Sequence, residues 1–235
     1  MAWYADARAV ATAIAGGDTR LGAGMLAVYS PQQAWAGNLV LAARVLREGR
    51  GIGGPGSGVF ASTVQRRAAD RLLAGESYEQ VLTGPKVLDF ARLIEHGGDP
   101  DPATARVVID RHALSVACGR ALSVAEYGTA PLKAFRRADG SRSHRHYDHV
   151  VDLFVRAAAI LTEPGHHRVA AHQVQAVTWL VRQRLNQQAE RDRGPSPLDT
   201  GRARARGRAE RRWQDIHTTD FPHLERVPDT GYLAA

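Results

Sequence analysis

Lys86 and Asp110 are the residues of this chain whose types and settings ask for chemistry. Lys86 stands in Val81-Leu-Thr-Gly-Pro-Lys-Val-Leu-Asp-Phe90, where a glycine turn opens a helical pattern. Asp110 closes the apolar run Val107-Val-Ile109 and is followed at once by a second helical pattern. Among the 31 Lys and Arg residues, only Lys86 and Lys133 are lysine. An amine, unlike a guanidinium, can become a neutral nucleophile in a dry site. A carboxylate after Val-Val-Ile is partly buried, which disfavours its charged form, while the amides of the helix it opens favour that form. Held anionic in a cleft, it can stabilise a positive sugar or deprotonate a water or an amine. Asp is also a preferred N-cap, a role that needs no function and is compatible with the chemical one.

Three further stretches could bind rather than react. In Gly84-Pro85-Lys86, glycine permits a positive φ and proline suits the first helical position. The amides of Thr83–Lys86 can then hold a phosphate. Gln32 and Gln33, at the entry to a long amphipathic helix, are either plain caps or planar amides that enter a base stack. His144, His146 and His149, with Asp148 between them, lack a zinc spacing. With Arg136 and Arg137 they read as a loop facing phosphate or sugar, and no metal is expected. Gly51-Ile-Gly-Gly-Pro-Gly-Ser-Gly58 has no Lys-Ser/Thr after it, so it is a flexible connector and not a P-loop. Trp179 reads as core.

These residues need elements to hold them, and the pattern is helical almost throughout. Apolar positions recur at three- and four-residue spacing over 6–15, 33–48, 62–74, 86–95, 111–122, 146–161 and 169–188. No run alternates as an amphipathic strand should, and Val107–Ile109 fits a helix entry better than a strand. Residues 190–212 are charged and broken by Gly194-Pro-Ser-Pro197, a linker or mobile tail. Trp213, Phe221, Leu224 and Tyr232 offer anchors that could dock its end on the body.

The 235 residues, 44% hydrophobic, suffice for one good-sized domain or two lobes around a cleft. No apolar stretch reaches the roughly 20 residues of a membrane span, and no secretory pattern opens the chain, so a cytoplasmic protein is expected. One cysteine, Cys118, excludes an intrachain disulfide and a cysteine-only metal site. The net charge of +7 fits either the Ala/Arg/Gly composition of a GC-rich genome or a polyanionic partner. Six arginines lie within 202–212, a run suited to a phosphate backbone.

Taken in order, the segments resemble the helix-hairpin-helix DNA glycosylases typified by endonuclease III and its adenine- and oxoguanine-excising relatives. Tyr29-Ser30-Pro31-Gln32 matches the stretch that opens that family's helical barrel. Gly84-Pro85-Lys86 matches its hairpin and Schiff-base lysine, and Ile109-Asp110-Arg111-His112 matches its catalytic aspartate. The resemblance runs over about 25–188 and is closest to a branch of actinobacteria and their phages. It is similar, too, to antiphage glycosylases that remove glucosylated hydroxymethylcytosine. Only one of the hairpin's usual glycines is present, and the four-cysteine iron–sulfur loop is absent.

The resemblance implies an all-α fold: two helical lobes flanking a DNA cleft with a helix-hairpin-helix, plus a basic C-terminal extension. One lobe is 28–105, the other 1–27 with 106–189, and the tail is 190–235. It implies a monomer on base-modified double-stranded DNA, with no cofactor beyond a monovalent cation at the hairpin. Asp110 and Lys86 would be catalytic. Gln32, Gln33, Thr83, Gly84, Pro85, Arg111, His112, Arg136, Arg137, His144 and His146 would contact DNA. The alternatives are a non-catalytic DNA-binding module, a base-modification enzyme on the same scaffold, and a helical toxin or adaptor in which Asp110 is only a cap.

Overall fold

The computed structural model describes residues 3–31, 33–98, 106–130, 135–136, 142–143, 145–162, 168–194 and 197–225. They form eleven helices and one two-residue antiparallel ladder, Phe135–Arg136 against Arg142–Ser143. The fold is all-α. Among the described residues no helix is long and apolar enough to cross a membrane.

The chain divides into two compact units. The larger comprises Ala2–Thr83, Ala91–Gly98 and Gly194–Ala235. It holds α1 (Trp3–Ile14), α2 (Thr19–Tyr29), α3 (Trp35–Glu48), α4 (Thr63–Leu73), α5 (Tyr78–Val81), the end of α6 (Pro85–His96) and α11 (Pro197–Asp220). Helix α2, absent from the expected helices, is its centre, packed on α1, α3, α4 and α5. Two glycines weaken its sequence signal, and one is required by packing. A Cβ on Gly22 would lie 2.1 Å from the Ala11 carbonyl oxygen, so α1 and α2 meet backbone to backbone.

Residues 51–54 are not the flexible connector expected. The Tyr29 hydroxyl donates to the Ile52 carbonyl and accepts from the Ile52 amide. Gly51 N donates to Asp70 Oδ1 at 2.6 Å. A Cβ on Gly51 would lie 2.2 Å from the Arg66 carbonyl, and Gly53, at φ 153°, would put one 2.5 Å from that of Ser62. Glycine is needed here for close approach.

The tail is a second departure. From Pro197 it forms a 24-residue helix, with proline at the first position, that packs on α3. Trp213 is 3% exposed, and its ring stacks with those of His217 and Phe221. Leu224 is buried, so three of the expected anchors do dock, while Tyr232 lies outside the described residues. The larger unit therefore takes in all of 2–83 together with the tail.

The smaller unit comprises Gly84–Phe90 and Asp99–Arg193. It holds the start of α6, then α7 (Arg111–Ala117), α8 (Val124–Thr129), α9 (Arg145–Leu161) and α10 (Ala171–Arg193). Its core joins Val107, Ile109, Leu114, Leu122, Tyr147, Val150, Phe154 and Val174. Burying each large apolar side chain of this set contributes about 1.5–3 kcal/mol.

Candidate functional site

Val107–Ile109 is buried without belonging to a helix or strand, so its backbone needs other partners. Tyr147, on the inward face of α9, supplies them. Its hydroxyl donates to the Val107 carbonyl at 2.8 Å and accepts from the Ile109 amide at 3.2 Å. Tyr127 of α8 reaches the Ile109 carbonyl at 3.4 Å. Burial, and then the Asp110 charge, push the Tyr127 hydroxyl up to about 12. This extended stretch delivers Asp110 to the start of α7, as its sequence suggested.

Asp110 is 1% exposed. Oδ1 accepts the Ala113 amide at 2.8 Å, the N-cap bond of α7. Oδ2 accepts the indole N–H of Trp179 at 2.7 Å. Each carboxylate oxygen thus has one fixed donor, and α7 and α10 are tied through one side chain. The His112 ring meets Trp179 edge to face, with centroids 5.1 Å apart. His112, expected to contact DNA, is 2% exposed and packs against this ring. Arg111 donates to the Leu122 carbonyl at 3.2 Å, which commits its guanidinium to the α7–α8 connection.

One face of α10 supplies the rest. His172, Gln175, Trp179 and Gln183, at three- and four-residue spacing, are all buried. The Gln175 Oε1 is buried with no hydrogen-bond donor among the described residues. The sequence marked Trp179 only as core. Its polar neighbours Gln175 and Gln183 on one helix face were the signal for a buried polar partner.

Around Lys86 the expectations are met in part. A four-residue helix, α5, a three-residue connection and a twelve-residue helix, α6, follow in order, with Pro85 at the first position of α6. Gly84 does not adopt the positive φ expected of a tight glycine turn. A Cβ there would meet only Val87 Cγ2 at 3.7 Å. Thr83 is exposed and Lys86 half-buried, and among the described residues Lys86 makes no ion pair with Asp110. The helices α5 and α6 are anchored away from this turn. Arg20 donates to Glu79 at 2.5 Å and Glu95 at 3.0 Å, and its guanidinium covers the Tyr78 ring at 4.7 Å.

Gln33 does not project as a free amide: its Nε2 donates to the Phe60 carbonyl at 2.6 Å and pins the 51–60 segment. His146 and His149 are exposed in the first two turns of α9. Gln32, Arg137 and His144 lie outside the described residues, as does the side chain of Arg136. Among the described residues no three His, Cys, Asp or Glu side chains form a group that could hold a metal ion.

The chain belongs to a family of unknown function (DUF7178), which it matches over residues 1–188. No curated protein and no solved structure matches it.

Proposed function

We propose that this protein is a DNA glycosylase that flips a modified base out of the duplex and cleaves its N-glycosidic bond at Asp110. The supporting observation is the setting of that carboxylate: buried, at a helix N-terminus, and oriented by the Ala113 amide and the Trp179 indole. Charge stabilisation by a fixed, desolvated group is the largest single term in many enzymes. Flipping costs a few kcal/mol in stacking and pairing. As the C1′–N bond breaks, its electron pair leaves with the base and positive charge develops on the sugar opposite Asp110. Water then adds at C1′, its proton passes to Asp110 and from there to the departed base, which leaves an abasic site and an ionised Asp110. If the amine of Lys86 adds instead, a Schiff base forms and β-elimination can cut the strand.

The substrate proposed is DNA carrying glucosylated hydroxymethylcytosine, on the sequence resemblance alone, in a role in antiphage defence. The hairpin reading of α5–α6, with Thr83–Lys86 on a phosphate and a cleft lined by helices, belongs to the same proposal.

One observation favours a second reading, a non-catalytic DNA-binding module. Both Asp110 oxygens already have protein donors, as a purely structural cap and tie would require. Incubating wild type and Asp110→Asn with normal and glucosylated phage DNA separates the two. Abasic sites on modified DNA only, lost in the variant, support the glycosylase, and a borohydride-trapped adduct adds Lys86. DNA binding without abasic sites, unchanged in the variant, supports the module.

A further inference from the structure

Helix α11 begins beyond the part of the chain that matches the family. Its buried side is set by Trp213 and by Ala209, whose Cβ lies 3.8 Å from where a Cβ on Gly37 of α3 would stand. The opposite side is basic. Arg204, Arg208, Arg211 and Arg212 follow at i, i+4, i+7 and i+8, which places them on one face, and all four are exposed. None of the four has an ion pair among the described residues, whereas Arg206, nearer the packed side, faces Glu210 at 4.0 Å. Among the described side chains, Asp215 is the one acidic residue that continues the basic face.

We propose that this face of α11 is a preformed binding surface for the phosphate backbone of double-stranded nucleic acid, separate from the Asp110 site. Residues 204–212 span about 12 Å at 1.5 Å per residue. One DNA strand presents three to four phosphates over about that axial length, at roughly 3.4 Å each. All four cations are guanidiniums, whose fork can take two phosphate oxygens at once. Packing on α3, with Trp213 buried, orders the helix beforehand, so the backbone of a flexible tail need not be frozen on binding. An anionic membrane fits less well. An interfacial helix sets Trp, Phe or Leu beside its cations, whereas the exposed neighbours here are Ala203, Ala205, Gln214, Thr218 and Thr219.

The test measures binding of the full-length protein to an unmodified duplex by fluorescence anisotropy over a salt series. Wild type is compared with the fourfold variant Arg204→Gln, Arg208→Gln, Arg211→Gln and Arg212→Gln. Circular dichroism and a melting curve check that the variant keeps its helices, as four exposed side chains should allow. For every phosphate no longer neutralised, the slope of log K against log salt falls by about 0.9, so the slope should fall by about 2 to 4 and affinity at least tenfold at low salt. The matching Lys variant should retain most of the slope. Unchanged affinity and slope in the Gln variant would overturn the proposal, as would wild type binding phosphatidylserine vesicles in preference to the duplex. Because the probe is unmodified and no bond is cleaved, failure of the glycosylase reading leaves this result standing, and the reverse.

Discussion

The indole N–H of Trp179 meets Oδ2 of Asp110 at 2.7 Å, joining residues 69 apart in the chain. Both partners are buried, at 1% exposure each. A buried hydrogen bond to a charged acceptor contributes about 1.5–3 kcal/mol. Trp179→Phe keeps an aromatic ring against His112 and removes the donor, so it should lower unfolding stability by about 2–4 kcal/mol, a small cavity included. If the protein excises bases as proposed, the variant should also lose turnover more than substrate affinity, because the carboxylate loses its orientation. Urea unfolding and single-turnover excision read the two effects separately. A variant as stable as wild type would mean that the tie is not formed in solution.

Asp110→Asn should behave differently from Asp110→Ala. Asparagine is as good an N-cap as aspartate, so its carbonyl can still accept the Ala113 amide. Its NH₂ group must then face the Trp179 N–H, two donors with nothing between them. We expect a loss of about 1–3 kcal/mol from the unmet donors. The alanine variant loses the cap as well and should fall further in the same urea titration.

The proximity of Tyr127 to Asp110 has a signature at high pH. The folded Tyr127 hydroxyl is raised, by burial first and by the Asp110 charge second, from the ordinary 10.0 to about 12. The unfolded chain ionises more readily, so this group's stabilisation is complete below pH 10 and is lost as pH rises through about 12. Removing the charge in Asp110→Asn leaves only the burial effect. Ultraviolet titration should then show one tyrosine ionising at lower pH than in wild type. Superimposable titration curves would place Tyr127 out of reach of Asp110.

Two glycines give opposite expectations. Gly22→Ala forces a methyl group onto the Ala11 carbonyl at 2.1 Å, so α1 and α2 must part. Overpacking of this kind costs about 3 kcal/mol or more when the obstacle is backbone. Gly84→Ala meets only ordinary van der Waals neighbours and should leave the melting temperature nearly unchanged. If the Gly84 backbone approaches a phosphate, that variant should still lose DNA affinity. Retained affinity would remove the turn from the binding surface.

The legibility of these features in the sequence follows their physical source. Helices with a broad apolar stripe, α3, α4, α6 and α9, lie within a few residues of where their periodicity put them. Helix α2 escaped because Gly22 and Gly24 are poor helix formers, and their value lies in packing against other parts of the chain. Helix α11 escaped because its residues are polar nearly all round and its stability rests on docking at Trp213. Asp110 as a cap was readable, since capping is local. Its bond to Trp179 was not: the polar face of Gln175 and Gln183 signals a buried polar partner, but nothing local says that the partner lies 69 residues away. The Gln33–Phe60 bond is hidden in the same way: Gln33, readable as a cap or as a stacking amide, is a structural pin.

One turn of α10 before Trp179 stands Gln175. It is 3% exposed, and its Oε1 meets no donor among the described residues. An unmet buried acceptor costs about 1–3 kcal/mol. Met has nearly the same length and shape and no strongly polar atom to satisfy, so Gln175→Met should stabilise the protein by about 1 kcal/mol. For a chain of this size that raises the melting temperature by roughly 2–4 °C. Calorimetry of the two proteins reads it directly. A lower melting temperature in the variant would show that a bound water already serves the carbonyl, and that the polar face of α10 is fully paired in solution.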